Sequence, residues 1–236
     1  MSVIRQIFAA CVAVGLSSGT GQAQSTAGPV VVELFTSQGC SSCPPADVFM
    51  SKLATRSDIL PLALHVDYWD YLGWADVLAS PQFTKRQKAY ARSAGRKMIY
   101  TPQMIVGGET AVAGYHPMEI MDAVMAAQKI LPTVTISARM TGTTAEIELK
   151  AVRPLTRDVV VQVVRYRPQT RVEIEHGENA GKTIDYVNSV TVWDAIGTWD
   201  GVHDVRYEVS VPGPDRAVVI VQEEGHRRIL ATAALR

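Results

Sequence analysis

Apolar and polar residues follow two different periods along this chain, and the change falls near residue 130. Before it, apolar runs suited to buried strands alternate with stretches of helical spacing. Val30 to Phe35 predicts a strand, bounded by Gly28-Pro29 and by the turn residue Gly39. Val48, Phe49, Leu53 and Ala54 then recur at near-helical spacing and predict a helix over 43–56. Pro44 and Pro45 suit its first turn, where an absent amide hydrogen costs little. Leu60 to Val66 predicts a second strand, running into Asp67-Tyr68-Trp69-Asp70. Residues 71–79 read as a short helix or an irregular loop. Pro81 opens a polar helix to about Ala94, with Gly95 as its stop. Met104–Val106 and Thr110–Ala113 flank Gly107-Gly108, which is a hairpin signal, and Pro117 starts a last helix through Ala127.

Lys129-Ile130-Leu131-Pro132 marks the boundary. Beyond it, residues 133–138, 145–152, 157–167, 184–193, 202–211 and 216–223 are strand candidates rich in Val, Ile and Thr. Val159, Val161 and Val163, like Val205, Tyr207 and Val209, alternate with their neighbours as the buried face of an antiparallel sheet should. The fold class expected is therefore an α/β domain with a mixed sheet over 28–131, followed by an all-β, sandwich-like domain over 132–236.

The N-terminus changes what can be said about compartment. Arg5, the apolar run Ile7 to Leu16 and the small and polar run Ser17 to Gln24 have the layout of a secretory signal peptide over 1–23, with Gly21 and Ala23 at the small positions before the cut. The apolar run is shorter than the roughly 20 residues needed to span a bilayer, so no stable membrane insertion is expected after cleavage. A periplasmic or secreted location follows, and in such a compartment a cysteine pair is either catalytic or a settled disulfide. The charge is balanced, with 23 basic and 23 acidic residues and no long basic run, so nucleic acid and anionic membrane surfaces gain no electrostatic handle.

Chemistry concentrates in Phe35-Thr36-Ser37-Gln38-Gly39-Cys40-Ser41-Ser42-Cys43-Pro44-Pro45-Ala46-Asp47. The chain has three cysteines, and the third, Cys11, falls in the leader. A strand, a turn and a helix in that order put Cys40 at the helix's positive end, where a thiolate is stabilised. A zinc site would need two more ligands, and no further cysteine remains to supply them. Copper or zinc handling would require His65, His116 or several methionines to converge on the thiols, so no metal and no organic cofactor is expected.

With the β-α-β-α-β-β-α order, Cys40-Ser41-Ser42-Cys43 is similar to the active site of the thioredoxin fold. The likeness implies that Cys40 is the exposed nucleophile and that Cys43, one turn into the helix, resolves the mixed disulfide. It also implies a cis Thr101-Pro102 bond in a loop that faces the dithiol and supports the site. Over residues 28–130, Glu33 to Asp47, His65-Val66-Asp67-Tyr68-Trp69-Asp70 and Tyr100-Thr101-Pro102-Gln103 resemble the DUF1223 family of exported, thioredoxin-like bacterial proteins. Gly177-Glu178-Asn179-Ala180-Gly181-Lys182 extends that likeness into the β-rich part. The family's role is not established, so the resemblance implies a fold and carries no substrate. Thioredoxin's buried carboxylate would fall near Leu34. Glu33 thus has two open readings, proton transfer at the dithiol or a hydrogen bond on the other side of the sheet.

Tyr68, Trp69, Tyr71 and Trp74 follow the second strand, at the edge of the sheet where ligands tend to lie. They either wall a substrate groove or serve as architecture. Arg92, Arg96 and Lys97 either lower a thiol pKa or end a helix in solvent, and Gly177–Lys182 reads as a tight connection between strands. Trp193, Trp199 and His203 either form a sugar- or peptide-facing patch or, as their size favours, close the sandwich core. The leading expectation is an exported thiol-disulfide oxidoreductase acting on a protein disulfide, a small thiol or a redox partner protein. The alternative is a non-catalytic envelope binding or structural protein with a permanent Cys40–Cys43 disulfide. An exposed Cys40 would favour exchange, and a sealed one the staple. Protein recovered from the periplasm or medium should begin at Gln24, which intact mass would establish; a mass retaining residues 1–23 would refute the cleavage.

Overall fold

A computed structural model describes residues 28–235; the expected leader lies outside them. Two layers of chemistry fix the first half. β1 (Val30–Thr36) is buried on both faces, with Val32 and Leu34 turned to one side and Val31, Glu33 and Phe35 to the other. On the first side lie α1 (Pro44–Leu53) and α3 (Pro117–Gln128), which bury Ala46, Phe49, Met50, Ile120 and Val124. On the second lies α2 (Pro81–Ser93), begun by Ser80, whose Oγ accepts the Gln82 amide at 3.2 Å. Between β2 (Ile59–His65) and α2 a single 3-10 turn spans Asp70–Leu72. β3 (Gln103–Val106) and β4 (Thr110–Ala113) form the expected hairpin.

The second half supplies β5 (Val134–Thr141), β6 (Thr144–Ala151), β7 (Val159–Glu173), β8 (Thr183–Trp199), β9 (Val205–Ser210), β10 (Arg216–Glu223) and β11 (Ile229–Leu235). β5, β6 and β9 make a small antiparallel sheet. It packs on Val159, Val161, Val163, Val219 and Val221 of β7 and β10 to close a sandwich core. An α/β part with a mixed sheet followed by an antiparallel, sandwich-like β part is therefore the architecture.

Pattern reading alone did not show that β11, β10, β7 and β8 continue the first sheet. The order is β11-β10-β7-β8-β2-β1-β3-β4. β8 joins β2 in parallel through Ala63 and Ser189, and Asn188, in a left-handed conformation, donates its Nδ2 to the Pro61 carbonyl at 2.9 Å. β11 was missed because Ile229-Leu230-Ala231-Thr232-Ala233-Ala234-Leu235 has little β-branched content. Its pairing with β10 decides its conformation. β7 and β8 also run longer than their apolar cores suggest, because the far end of this hairpin carries alternating polar residues that face solvent.

Where α2 meets the added strands, a charged group is enclosed. Arg86 donates through Nε to Glu33 Oε2 at 2.6 Å and through Nη2 to Glu33 Oε1 at 3.0 Å and Gln222 Oε1 at 3.1 Å. Its guanidinium also lies 3.6 Å from the Trp193 ring centroid. Tyr90 donates to Glu33 Oε1 at 2.5 Å, and Trp193 Nε1 donates to Gln162 Oε1 at 2.7 Å. Glu33→Ala leaves this cation buried without its counter-charge and should cost about 3–5 kcal/mol in urea unfolding. The double change Glu33→Leu with Arg86→Met should cost much less. Equal losses in the two proteins would contradict this reading.

Candidate active site

The redox loop begins where β1 ends. Cys40 N–H donates to the Ser37 carbonyl at 3.1 Å, and Cys43 N–H donates to the Cys40 carbonyl at 3.2 Å. That turn brings the two sulfurs together in a disulfide with the Cα atoms 5.4 Å apart. Cys43 is the N-cap residue of α1 and offers no capping side chain, but its carbonyl accepts the Ala46 and Asp47 amides. Pro44 and Pro45 occupy the first helical positions, so two amides that would otherwise need partners are absent.

β1 pairs antiparallel to β3 with Phe35 opposite Gln103, which sets the Thr101–Pro102 loop at the same end of the sheet as the dithiol. The Thr101–Pro102 peptide is cis. Trp69 Nε1 donates to Thr101 Oγ1 at 2.7 Å. A β-carbon at Gly39 would stand 3.2 Å from the Trp69 β-carbon, so any larger residue there would press on Trp69. Trp69, Thr101 and the backbone before Cys40 thus form one rim. Tyr68 packs beside Trp69 with its ring centroid 5.9 Å away, and burial pushes its phenol up to about 12.

The remaining aromatic candidates separate. Tyr71 is 78% exposed and projects into solvent. Trp74 lies on the other flank of the loop, donates Nε1 to Gln38 Oε1 at 2.7 Å and packs on Val172, Ile174, Ile184 and Tyr186. Glu33 faces α2 and is held by Arg86, on the opposite side of the sheet from α1. Arg92 and Arg96 line recesses beside His226, at the far end of α2. Trp199 is buried, with Nε1 donating to the His203 carbonyl at 2.7 Å.

The cysteines are less open than their position at a loop suggests. Cys40 is 3% exposed and Cys43 0%, so Cys40 is the more accessible of the two but is recessed. Ser41 and Ser42 are exposed above it, and Ser42 Oγ lies 3.5 Å from Cys40 Sγ. The reason is the second half of the chain. The tip of the β7–β8 hairpin covers this loop, and Asn179 Nδ2 donates to the carbonyls of Gln38 and Cys40, at 2.9 Å each.

Beneath the loop lies a group of ionisable side chains that sequence reasoning did not select. Asp47 stands one helical turn after Cys43 and is fully enclosed. Desolvation raises its pKa from 3.8 to about 7, opposed by His65 and by the Thr36 hydroxyl, which donates to Asp47 Oδ1 at 2.8 Å. Nearby Asp76 raises it further. His65 Nδ1 and Asp76 Oδ2 are 2.7 Å apart, and the same oxygen accepts the Gln38 amide at 2.8 Å. The Tyr186 ring packs edge-on to His65 at 4.7 Å, and its own pKa is raised first by burial and then by Asp47 and Asp76. Asp47 Oδ2, His65 Nε2 and the Tyr186 hydroxyl are buried without a protein partner. The signal available was Asp47 at helical spacing from Cys43, on the same face. Asp76 had none, since only the fold returns its loop to Gln38.

The chain was compared with known proteins. The sequence model of the family described as "Protein of unknown function (DUF1223)" matches residues 31–222. Protein AGR_C_4864 from Agrobacterium tumefaciens is 32% identical, with 90% of this chain and 95% of that one covered and a TM-score of 0.74. HBP35 of Porphyromonas gingivalis has a similar fold at 14% identity, covering 88% and 74% of the two chains with a TM-score of 0.65. No protein among those of curated function matches.

The enclosed Asp47 makes a pH prediction. Its pKa is raised on folding, so the folded state holds this proton more tightly than the unfolded state. The group's contribution is most favourable at acid pH and falls as pH rises from near 3.8 to about 7. Asp47→Asn should flatten that fall, by an amount on the order of a few kcal/mol. The difference between variant and wild type cancels His226, whose pKa burial and Arg86 lower to about 4. Parallel stability curves from pH 4 to 8 would contradict the assignment.

Proposed function

The chain belongs to the DUF1223 family, and from the geometry of its paired cysteines we propose that it is an exported thiol-disulfide oxidoreductase acting on a protein disulfide or a small thiol. The observation that carries this reading is a disulfide between a strand and a helix N-terminus, beside the Thr101–Pro102 loop, with the enclosed carboxyl of Asp47 one turn beyond Cys43. An incoming thiolate attacks Cys40 Sγ. The Cys40–Cys43 bond breaks, a mixed disulfide forms, and Cys43 leaves as a thiolate that takes up the proton held by Asp47. In the opposite direction the Asp47 carboxylate removes the Cys43 proton, Cys43 attacks Cys40, and the partner leaves as a thiolate. Trp69 and Thr101 contact the bound chain, and no organic cofactor is consumed.

Export is supported by the signal-like leader. Among the described residues no helix is long and apolar enough to cross a membrane. An oxidising compartment suits a pair that closes and reopens.

A second reading rests on one specific observation, the 3% exposure of Cys40. On that reading the bond is a permanent staple in a binding or structural protein of the envelope. Redox titration against glutathione, with trapping by Cys43→Ser, separates the two. Exchange predicts a measurable dithiol–disulfide equilibrium and a mixed disulfide at Cys40 that accumulates in the variant. A bond that glutathione does not open over hours, together with no mixed disulfide in the variant, would establish the staple instead.

A further inference from the structure

We propose that Asn179 is a positioning residue for the Cys40–Cys43 bond: a side-chain clamp, supplied by the β-rich half, that sets how readily the disulfide opens. The inference rests on the exchange reading for its biological meaning. Its geometry is independent of it.

Asn179 is 1% exposed. Its amide nitrogen has two hydrogens and uses both on the redox loop, one to the Gln38 carbonyl and one to the Cys40 carbonyl, at 2.9 Å each. Its Oδ1 accepts Lys182 Nζ at 2.7 Å, which fixes the amide's orientation. The Cys40 carbonyl therefore receives two donors, Asn179 Nδ2 and the Cys43 amide. These hydrogen bonds fall on the backbone of the attacked cysteine and of the residue two before it.

The clamp closes against a fixed floor. Gln38 N–H is held by Asp76 Oδ2, and Gln38 Oε1 by Trp74 Nε1, so this residue is gripped by Asp76 and Trp74 from one loop and by Asn179 from another. The connection between β7 and β8 is shaped to deliver Asn179. Gly177 has φ +78°, and a β-carbon there would lie 3.2 Å from the Trp74 β-carbon. Gly181 N–H and Ile174 N–H close the turn, to the Ile174 and Lys182 carbonyls at 2.7 and 2.9 Å. The Gly177-to-Lys182 segment is thus more than a tight connection.

The consequence follows from proximity. In the dithiol the Cys40 side chain is free to rotate, and ring closure depends on how well the backbone keeps the two sulfurs within reach. A clamp that holds the Cys40 carbonyl in both states raises the effective concentration of one thiol at the other and so favours the closed disulfide. Removing it makes the bond easier to reduce.

The test is the equilibrium between protein and dithiothreitol, read by alkylation and mass. Asn179→Ala should shift it toward the dithiol by about tenfold, which for a two-electron couple is about 30 mV. Asn179→Asp should shift it further, because a carboxylate would face two carbonyl oxygens. Lys182→Met, at an exposed position, should give a smaller shift in the same direction and tests the clamp even where a change at 179 prevents folding. A Lys182→Met equilibrium equal to wild type, or a folded Asn179→Ala protein within twofold of it, overturns the proposal. A wild-type protein that equilibrates with dithiothreitol but never exchanges with glutathione would sink the exchange function, while the shift in the variants would still support the clamp.

Discussion

The buried guanidinium of Arg86 ties together the two halves of this protein. Arg86 lies on α2, yet its hydrogen bonds and stacking reach β1 through Glu33, β7 through Gln162, β8 through Trp193 and β10 through Gln222. An enclosed guanidinium without a counter-charge is costly, whereas apolar packing tolerates modest repacking. The donors are planar and directional, so the partners must arrive in one arrangement. That requirement fixes how α2 lies against β1 and how the added strands dock on α2. The surrounding core of Phe35, Leu62, Leu64, Phe83, Tyr90, Val164 and Ile220 supplies the bulk of the burial, and the ion pair selects its geometry.

From that junction the β7–β8 hairpin extends past the edge of the sandwich and reaches the disulfide. One end of the hairpin packs on β5, β6 and β9; the other places Ile174, Ile184 and Tyr186 around Trp74 and sets Asn179 on the redox loop. The dithiol site is therefore built from both halves. Its recessed sulfur has a clear chemical meaning. In the exchange reading proposed above, a thiolate formed at the recessed Cys40 would have little water around it, and the Ser42 hydroxyl, 3.5 Å from Sγ, is the polar side chain at hand. On that reading, a thiol approaching the bond would meet Ser41 and Ser42, which are exposed beside the recessed Cys40.

Much of this could be read from the chain. The apolar run at Val30–Phe35, the paired prolines after Cys43, the Gly107-Gly108 hairpin and the change of period near residue 130 are local signals, and the elements follow them. Glu33 had two readings from the sequence, and its pairing with Arg86 on the α2 side of the sheet decides for the hydrogen bond away from α1. Other features had no local signal. β11 is strand only because β10 offers it a register. Cys40 was expected in the open, but a loop from nearly one hundred and forty residues further on encloses it. Asp76 sits in a stretch that reads as a short helix or an irregular loop, and Asn179 in one that reads as a tight connection between strands.

By itself the sequence determined most of the elements and their order, β11 excepted, and the position of the cysteine pair between a strand and a helix. These depend on periodicity and on backbone chemistry within a few residues. Tertiary structure alone decided that the two halves share one sheet, that Asp47, His65 and Asp76 gather under the disulfide, and that Asn179 grips its backbone. Those outcomes require long-range pairing, because buried charges and carbonyls must find partners wherever the folded chain brings them.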